Sequence, residues 1–140
     1  MNVAATTRPF PVPQVDTVNR PYWEGLHEGR LSYLQCDACG HAWLPARTEC
    51  PRCLGASIGW KQASGSARLV SWVVYHKPFH PAFADRLPYN VAVVELDEGP
   101  RLISNVVGTD VPETLLIDLP LDLTIEDEHG VAVPRFKVRG

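Results

Sequence analysis

The chain has 140 residues and a formal net charge of −3, with 45% apolar residues, 13 prolines and four cysteines. That suits one compact unit, or a small module plus one domain, and no apolar run approaches the roughly 20 residues a membrane-spanning helix needs. A dedicated nucleic-acid binder carries a basic stripe, which this sequence lacks. An N-terminus without a charged segment leading into an apolar one predicts a cytoplasmic protein with no membrane contact.

Residues 1–15 read as a flexible, proline-rich arm. Pro9, Pro11 and Pro13 alternate with Phe10 and Val12, which excludes helix and favours an extended path. Such an arm is either a mobile tail or a strap that docks on a partner through Phe10, Val12 and Val15. Residues 16–29 carry the helical signal. Asp16 or Asn19 can cap it, Pro21 suits a first turn, and Gly29 supplies a stop. Tyr22, Trp23 and Leu26 recur at helical spacing, while Gly25 weakens the propensity and predicts a short helix. Tyr22 and Trp23 either pack on the cysteine-bearing segment or form a contact surface.

Residues 30–35 predict a strand running into Cys36-Asp37-Ala38-Cys39-Gly40, and residues 41–45 predict its return. Ten residues separate this first cysteine pair from Cys50-Pro51-Arg52-Cys53. Two Cys-x-x-Cys turns at this separation are the spacing of a zinc ribbon, because thiolates at i and i+3 of a tight turn occupy two corners of a tetrahedron. Four thiolates leave no open coordination position, so a structural Zn²⁺ on Cys36, Cys39, Cys50 and Cys53 is the leading reading. Two disulfides, or a redox or iron–sulfur site, are the alternatives. His41 is a fifth candidate ligand and reads better as a surface residue.

A short strand is predicted at 58–62, and Ser64-Gly65-Ser66 marks a boundary between a helix-and-ribbon unit (16–63) and a second domain (64–140). From there on the sequence is strand and turn. Strands are predicted at 67–76, 89–97, 101–107, 121–126 and 131–136. Tight turns are predicted at 97–100 and 127–130. A crossover over 108–120, containing Pro112, Glu113, Leu115, Leu116 and Ile117 and one helical turn, joins the third strand to the fourth. Apolar residues on both faces of 67–76 predict that both are covered. Pro134 predicts an edge or a bulge. Five strands with this connectivity predict an oligonucleotide/oligosaccharide-binding (OB) barrel. The whole is then mainly β: an N-terminal helix and zinc ribbon followed by a five-stranded barrel, sharing a core through Trp43 and Trp60.

The sequence has no phosphate-binding glycine loop, no nucleophile elbow and no His-Glu-x-x-His. Once a metal has claimed the cysteines, no nucleophilic thiol remains. The densest functional cluster is His76, Lys77, Phe79, His80, Phe83 and Arg86, in the irregular stretch after the first barrel strand. His129, at a turn tip, reads as solvent-exposed.

Several stretches together resemble a known family. They are Tyr22-Trp23-Glu24-Gly25-Leu26, Leu34-Gln35-Cys36-Asp37-Ala38-Cys39-Gly40, Pro45-Ala46-Arg47 before the second cysteine pair, residues 87–102, and Val133-Pro134-Arg135-Phe136. The chain resembles, over roughly residues 17–137, the OB-fold proteins with a rubredoxin-like zinc ribbon that accompany thiolases and other acyl-CoA enzymes. The resemblance implies zinc on all four cysteines and a hetero-oligomer with a thiolase-like catalytic subunit. It implies CoA or acyl-CoA bound at the barrel, and no catalytic residue in this chain. The residues themselves, rather than the resemblance, nominate a ligand or partner surface of Tyr22, Trp23, Arg68, Tyr75, His76, Lys77, Phe79, His80, Phe83 and Arg86. The competing readings are a single-stranded nucleic-acid binder, which also combines ribbon and barrel, and a stand-alone enzyme using His76 or His80.

Overall fold

The computed structural model describes residues 10–108 and 114–139. Residues 1–9 of the predicted arm, and residues 109–113 of the predicted crossover, lie outside these. Helix α1 (Arg20–His27) has a chemical cause at each end. Asp16 Oδ1 accepts from the N–H groups of Val18 and Asn19, and Asn19 Oδ1 accepts from Asp16 N–H. The two side chains thus shape the turn before the helix, although Asn19 makes no side-chain cap to it. At the other end Gly29 adopts φ +87°. Its N–H bonds Leu26 O, and Arg30 N–H bonds Gly25 O, the paired bonds of a Schellman stop. Gly25 is buried, and a Cβ there would stand 3.3 Å from both Arg30 O and Ser32 Oγ. Its weak helix propensity is therefore the condition for the next strand to pass so close.

The ribbon is a small antiparallel sheet of β1 (Ser32–Cys36), β2 (Ala42–Trp43) and β3 (Ile58–Gln62), with β1 in the middle. The barrel strands are β4 (Ser66–Tyr75), β5 (Tyr89–Leu96), β6 (Arg101–Ser104), β7 (Val106–Val107), β8 (Pro120–Glu128) and β9 (Val131–Val138), in spatial order β6-β5-β4-β8-β9-β7. The predicted third strand is thus split at Asn105. Its first half pairs antiparallel with β5 and its second half pairs parallel with β9, which closes the sheet into an OB barrel. Asn90 explains the split. Its side-chain amide donates to Val106 O at 2.8 Å and accepts from Val106 N–H at 2.7 Å. The amide replaces the ladder partner that the chain loses as it crosses from β5 to β9. The hairpin at His129-Gly130 has φ of +53° and +89°, the signs a type I′ turn demands.

Two cores form. One joins the barrel residues Leu69, Val94, Leu96, Leu121 and Phe136 to Leu26, Leu31 and Tyr33. The other joins Leu34, Cys36, Trp43 and Cys50, with Trp60 and Ile58 against them. This corrects the expectation that Trp43 and Trp60 link ribbon to barrel. The link is made by Leu26, Leu31 and Tyr33. In β1 the side chains flanking Leu34 turn the other way, so Tyr33 reaches the barrel and Leu34 the ribbon. A second correction concerns β4. Val73 is 53% exposed, because nothing among the described residues covers that stretch of the barrel's outer face. Pro134 lies on the side of β9 that faces β6 across a gap in the ladder, as a residue without an N–H should.

Candidate metal centre and two adjoining cavities

The four cysteine sulfurs lie within 4.8 Å of one another. Cys36 Sγ and Cys53 Sγ are 3.6 Å apart, as are Cys39 Sγ and Cys50 Sγ. A tetrahedral Zn²⁺ with bonds of about 2.3 Å places sulfurs about 3.8 Å apart, whereas a disulfide needs about 2.05 Å. The backbone prepares the thiolates. N–H groups of Cys39, Arg52 and Gly55 point at the sulfurs of Cys36, Cys50 and Cys53, at 3.5, 3.4 and 3.4 Å. The Cys39 N–H is the main reason the Cys36 thiol is held below its ordinary range. Burial works against ionisation of Cys50, but the N–H groups of Cys53 and Arg52 outweigh it and bring the thiol down to about 7. At Cys53 the Gly55 N–H favours the thiolate, yet bonds to the neighbouring sulfurs push the thiol up to about 11. Four thiolates this close need a dication to be stable together. His41 stacks on Trp43 at 5.8 Å and is not in the cluster. Gly40 (φ +79°) and Leu54 (φ +63°) follow the two cysteine pairs and turn the chain away from the metal position.

The first cavity, of about 520 Å³, lies among the start of β5, the β6–β7 segment, the end of β8 and Arg135 of β9, with Tyr75 at the end of β4 and residues 79–88 beside it. Tyr75, Phe79, His80, Phe83 and Tyr89 form its aromatic wall, with rings in edge or tilted contact at 5.3–6.1 Å. A 3-10 helix (Pro81–Arg86) presents part of this wall. His80 Nδ1 accepts from Ala82 N–H at 3.0 Å, so a neutral His80 carries its proton on Nε2. Arg86 bonds Glu128 in a fork at 2.7 and 2.9 Å. That fork holds the Glu128 carboxyl below the usual range. The Arg86 guanidinium also lies over the rings of Phe10 and Phe83, at 5.1 and 5.3 Å. Phe10 further stacks on His129 at 4.2 Å, so this end of the arm is seated on the chain's own barrel, while Val12 and Val15 stay exposed.

The second cavity, of about 540 Å³, is an apolar groove where helix, ribbon and barrel meet, lined among others by Tyr22, Trp23, Leu44, Pro45, Val133 and Arg135. Burial pushes the Tyr22 hydroxyl up to about 12, against the pull of Arg135.

The nominated surface is thus divided. Tyr75, Phe79, His80, Phe83 and Arg86 gather at the first cavity, and Tyr22 and Trp23 at the second. His76 and Lys77 are exposed and line neither. Arg68 also stands apart, held by Glu95 and Asp118 on the sheet surface. Sequence reasoning missed Glu126, Glu128, Ile103 and Arg135. Glu126 and Glu128 sit two apart on β8, a spacing that places both on one face.

The ChsH2 rubredoxin-like zinc ribbon domain matches residues 23–59, and the ChsH2 C-terminal OB-fold domain matches residues 60–126. A DUF35 domain-containing scaffold protein of Methanothermobacter thermautotrophicus is 33% identical over 115 residues, covering 78% of this chain and 85% of that protein. The chain belongs to the DUF35 family. Among solved structures, this DUF35 chain is similar to a chain of the Ltp2-ChsH2(DUF35) aldolase, with TM-score 0.80 and 33% identity over 91% of this chain and 98% of that one. A probable enoyl-CoA hydratase alpha subunit of Thermomonospora curvata is 35% identical over 130 residues. The match takes in 91% of this chain but 39% of that subunit, so this chain spans about two fifths of that relative's length. The DUF35 assignment and the sulfur geometry agree on a rubredoxin-like zinc ribbon held by Cys36, Cys39, Cys50 and Cys53. No helix among the described residues is long and apolar enough to cross a membrane.

Proposed function

We propose that this protein is a non-catalytic, zinc-containing accessory subunit of a thiolase-like acyl-CoA enzyme, which binds CoA or an acyl-CoA and docks the catalytic partner. The observation that carries the reading is the near end-to-end likeness to a chain of the Ltp2-ChsH2(DUF35) aldolase. The chemistry of the cavities supports it. The four cysteines are committed to metal. Arg86 and Glu128 are committed to each other. No nucleophile stands beside a base among the residues of either cavity. What the cavities offer instead is apolar and aromatic wall with a few polar groups, the composition of a binding site.

Coexpression with a thiolase-like enzyme of the same organism tests the proposal. The two chains are expected to elute together as a hetero-oligomer, and a CoA ester is expected to give a binding signal by calorimetry. Elution strictly alone, with no signal from CoA esters, overturns it. Binding to single-stranded oligonucleotides at low salt is not expected, because the first cavity's cations are matched by carboxylates and the chain as a whole is acidic.

A further inference from the structure

Two residues, Ile103 and Arg135, line both cavities, so the aromatic cavity and the apolar groove adjoin at those side chains. Arg135 is unusual for its position. Its side chain is only 16% exposed. Among the described residues its contacts are a 3.3 Å hydrogen bond to Pro134 O and a 3.6 Å approach to Glu128. Glu128 is already forked by Arg86 at shorter range. A guanidinium has five N–H donors, and most of those on Arg135 have no protein acceptor. Burial presses its pKa down, while none of its nitrogens is both fully buried and without a partner, so the free donors open onto the cavities. Donors that open onto the junction of two cavities are met by water in the free chain and are available to an acceptor carried by a guest.

The surroundings select the kind of acceptor. Arg86 and Arg135 on this wall are balanced by Glu126 and Glu128. A guest carboxylate or phosphate would add a third negative charge beside those two carboxylates in a half-buried site. A carbonyl oxygen accepts the same hydrogen bonds and adds no charge. On either side of it the walls are apolar: rings in one direction, Trp23 and Leu44 in the other.

We propose that Arg135 receives the carbonyl of a neutral acyl derivative, a thioester or ester rather than a free acid, whose apolar acyl body lies in the adjoining cavities past Ile103 while any phosphates stay outside. The identity of that derivative as an acyl-CoA rests on the reading above, and the test keeps the two apart.

The zinc-loaded full chain is titrated calorimetrically with three probes: the phenylacetyl thioester of N-acetylcysteamine, which carries no phosphate, free phenylacetate, and CoA alone. The thioester is expected to bind at least about tenfold more tightly than phenylacetate. Arg135→Met is expected to weaken the thioester about tenfold or more and to leave CoA alone unchanged. Ile103→Trp fills the junction from a side chain that is 73% exposed, so it is expected to block the thioester without disturbing the fold. It decides the matter if Arg135→Met fails to fold by circular dichroism and zinc content. Equal affinity for thioester and acid, undiminished thioester binding in Ile103→Trp, or no thioester binding by the wild type overturns the subsite. Failure to assemble with a thiolase-like partner, with thioester binding intact, counts against the accessory-subunit reading and leaves the subsite standing.

Discussion

Ser104 donates its hydroxyl to the Pro134 carbonyl at 2.8 Å, across the gap between β6 and β9 where no backbone ladder runs. Ser104 is buried, at 4% exposure, and Pro134 has no N–H to offer in return. The bond therefore stands in for a missing rung, and it holds the carbonyl that Arg135 also touches. Ser104→Ala is expected to destabilise the fold by about 1–2 kcal/mol, because Pro134 O loses its better donor in a buried setting. Denaturant unfolding, with the slope unchanged and the midpoint lowered, is the check.

Removal of zinc acts on one core and not the other. Cys36 and Cys50 belong to the cluster with Leu34 and Trp43, whereas Leu31 and Tyr33 belong to the barrel. Chelation is expected to raise amide exchange over residues 34–60 while β4, β5, β8 and β9 stay protected. A single cooperative loss of both regions would show that the two cores fold as one.

The Arg86–Glu128 fork makes stability depend on acid. Its Glu128 carboxyl sits below the usual range because Arg86 bonds the ionised form. A depressed folded pKa means that the unfolded state binds the proton more readily. The contribution is present above the unfolded value of about 4.3 and is lost as pH falls through the folded value. Glu128→Gln is expected to cost about 1–3 kcal/mol at pH 7, since it removes the negative charge and one of the two acceptor oxygens that Arg86 uses and turns an NH2 donor towards the guanidinium. The gap between wild type and variant should close on acidification below pH 4, as followed by unfolding midpoints. A gap that is constant with pH would mean the fork contributes nothing.

Phe10 anchors the end of the arm through Phe83, His129 and Arg86. Phe10→Ala is expected to release residues 10–15, seen as faster proteolysis N-terminal to α1, with a loss of about 1 kcal/mol in stability. Unchanged cleavage would mean that the turn built by Asp16 and Asn19 holds the arm by itself.

Much of this was legible along the chain. The zinc site follows from Cys-x-x-Cys pairs because ligand geometry at i and i+3 is local. The helix end at Gly29 and the turn at His129-Gly130 follow from backbone sterics. Alternation in residues 121–126 marks a half-buried strand for the same local reason. The nominated ring cluster of Tyr75, Phe79 and Phe83 was close in sequence, and it stays close in space. Arg68 was nominated beside it, but neighbourhood in sequence misled there, because the strand carries Arg68 to Glu95 and Asp118.

The sequence by itself determined the four-cysteine metal site, the barrel class and every barrel strand except the break in the third, since each depends on spacing within a few residues. Only the tertiary structure decided how the barrel closes. Asn90 must meet Val106, 16 residues further on, and β7 must run parallel to β9, with Val106 paired to Phe136. It also decided that α1 and Leu31 belong with the barrel core, and that Arg135 stands between two cavities. The reason is common to all three: long-range contacts are set by which buried faces and polar groups can be satisfied together, and no local pattern records that choice.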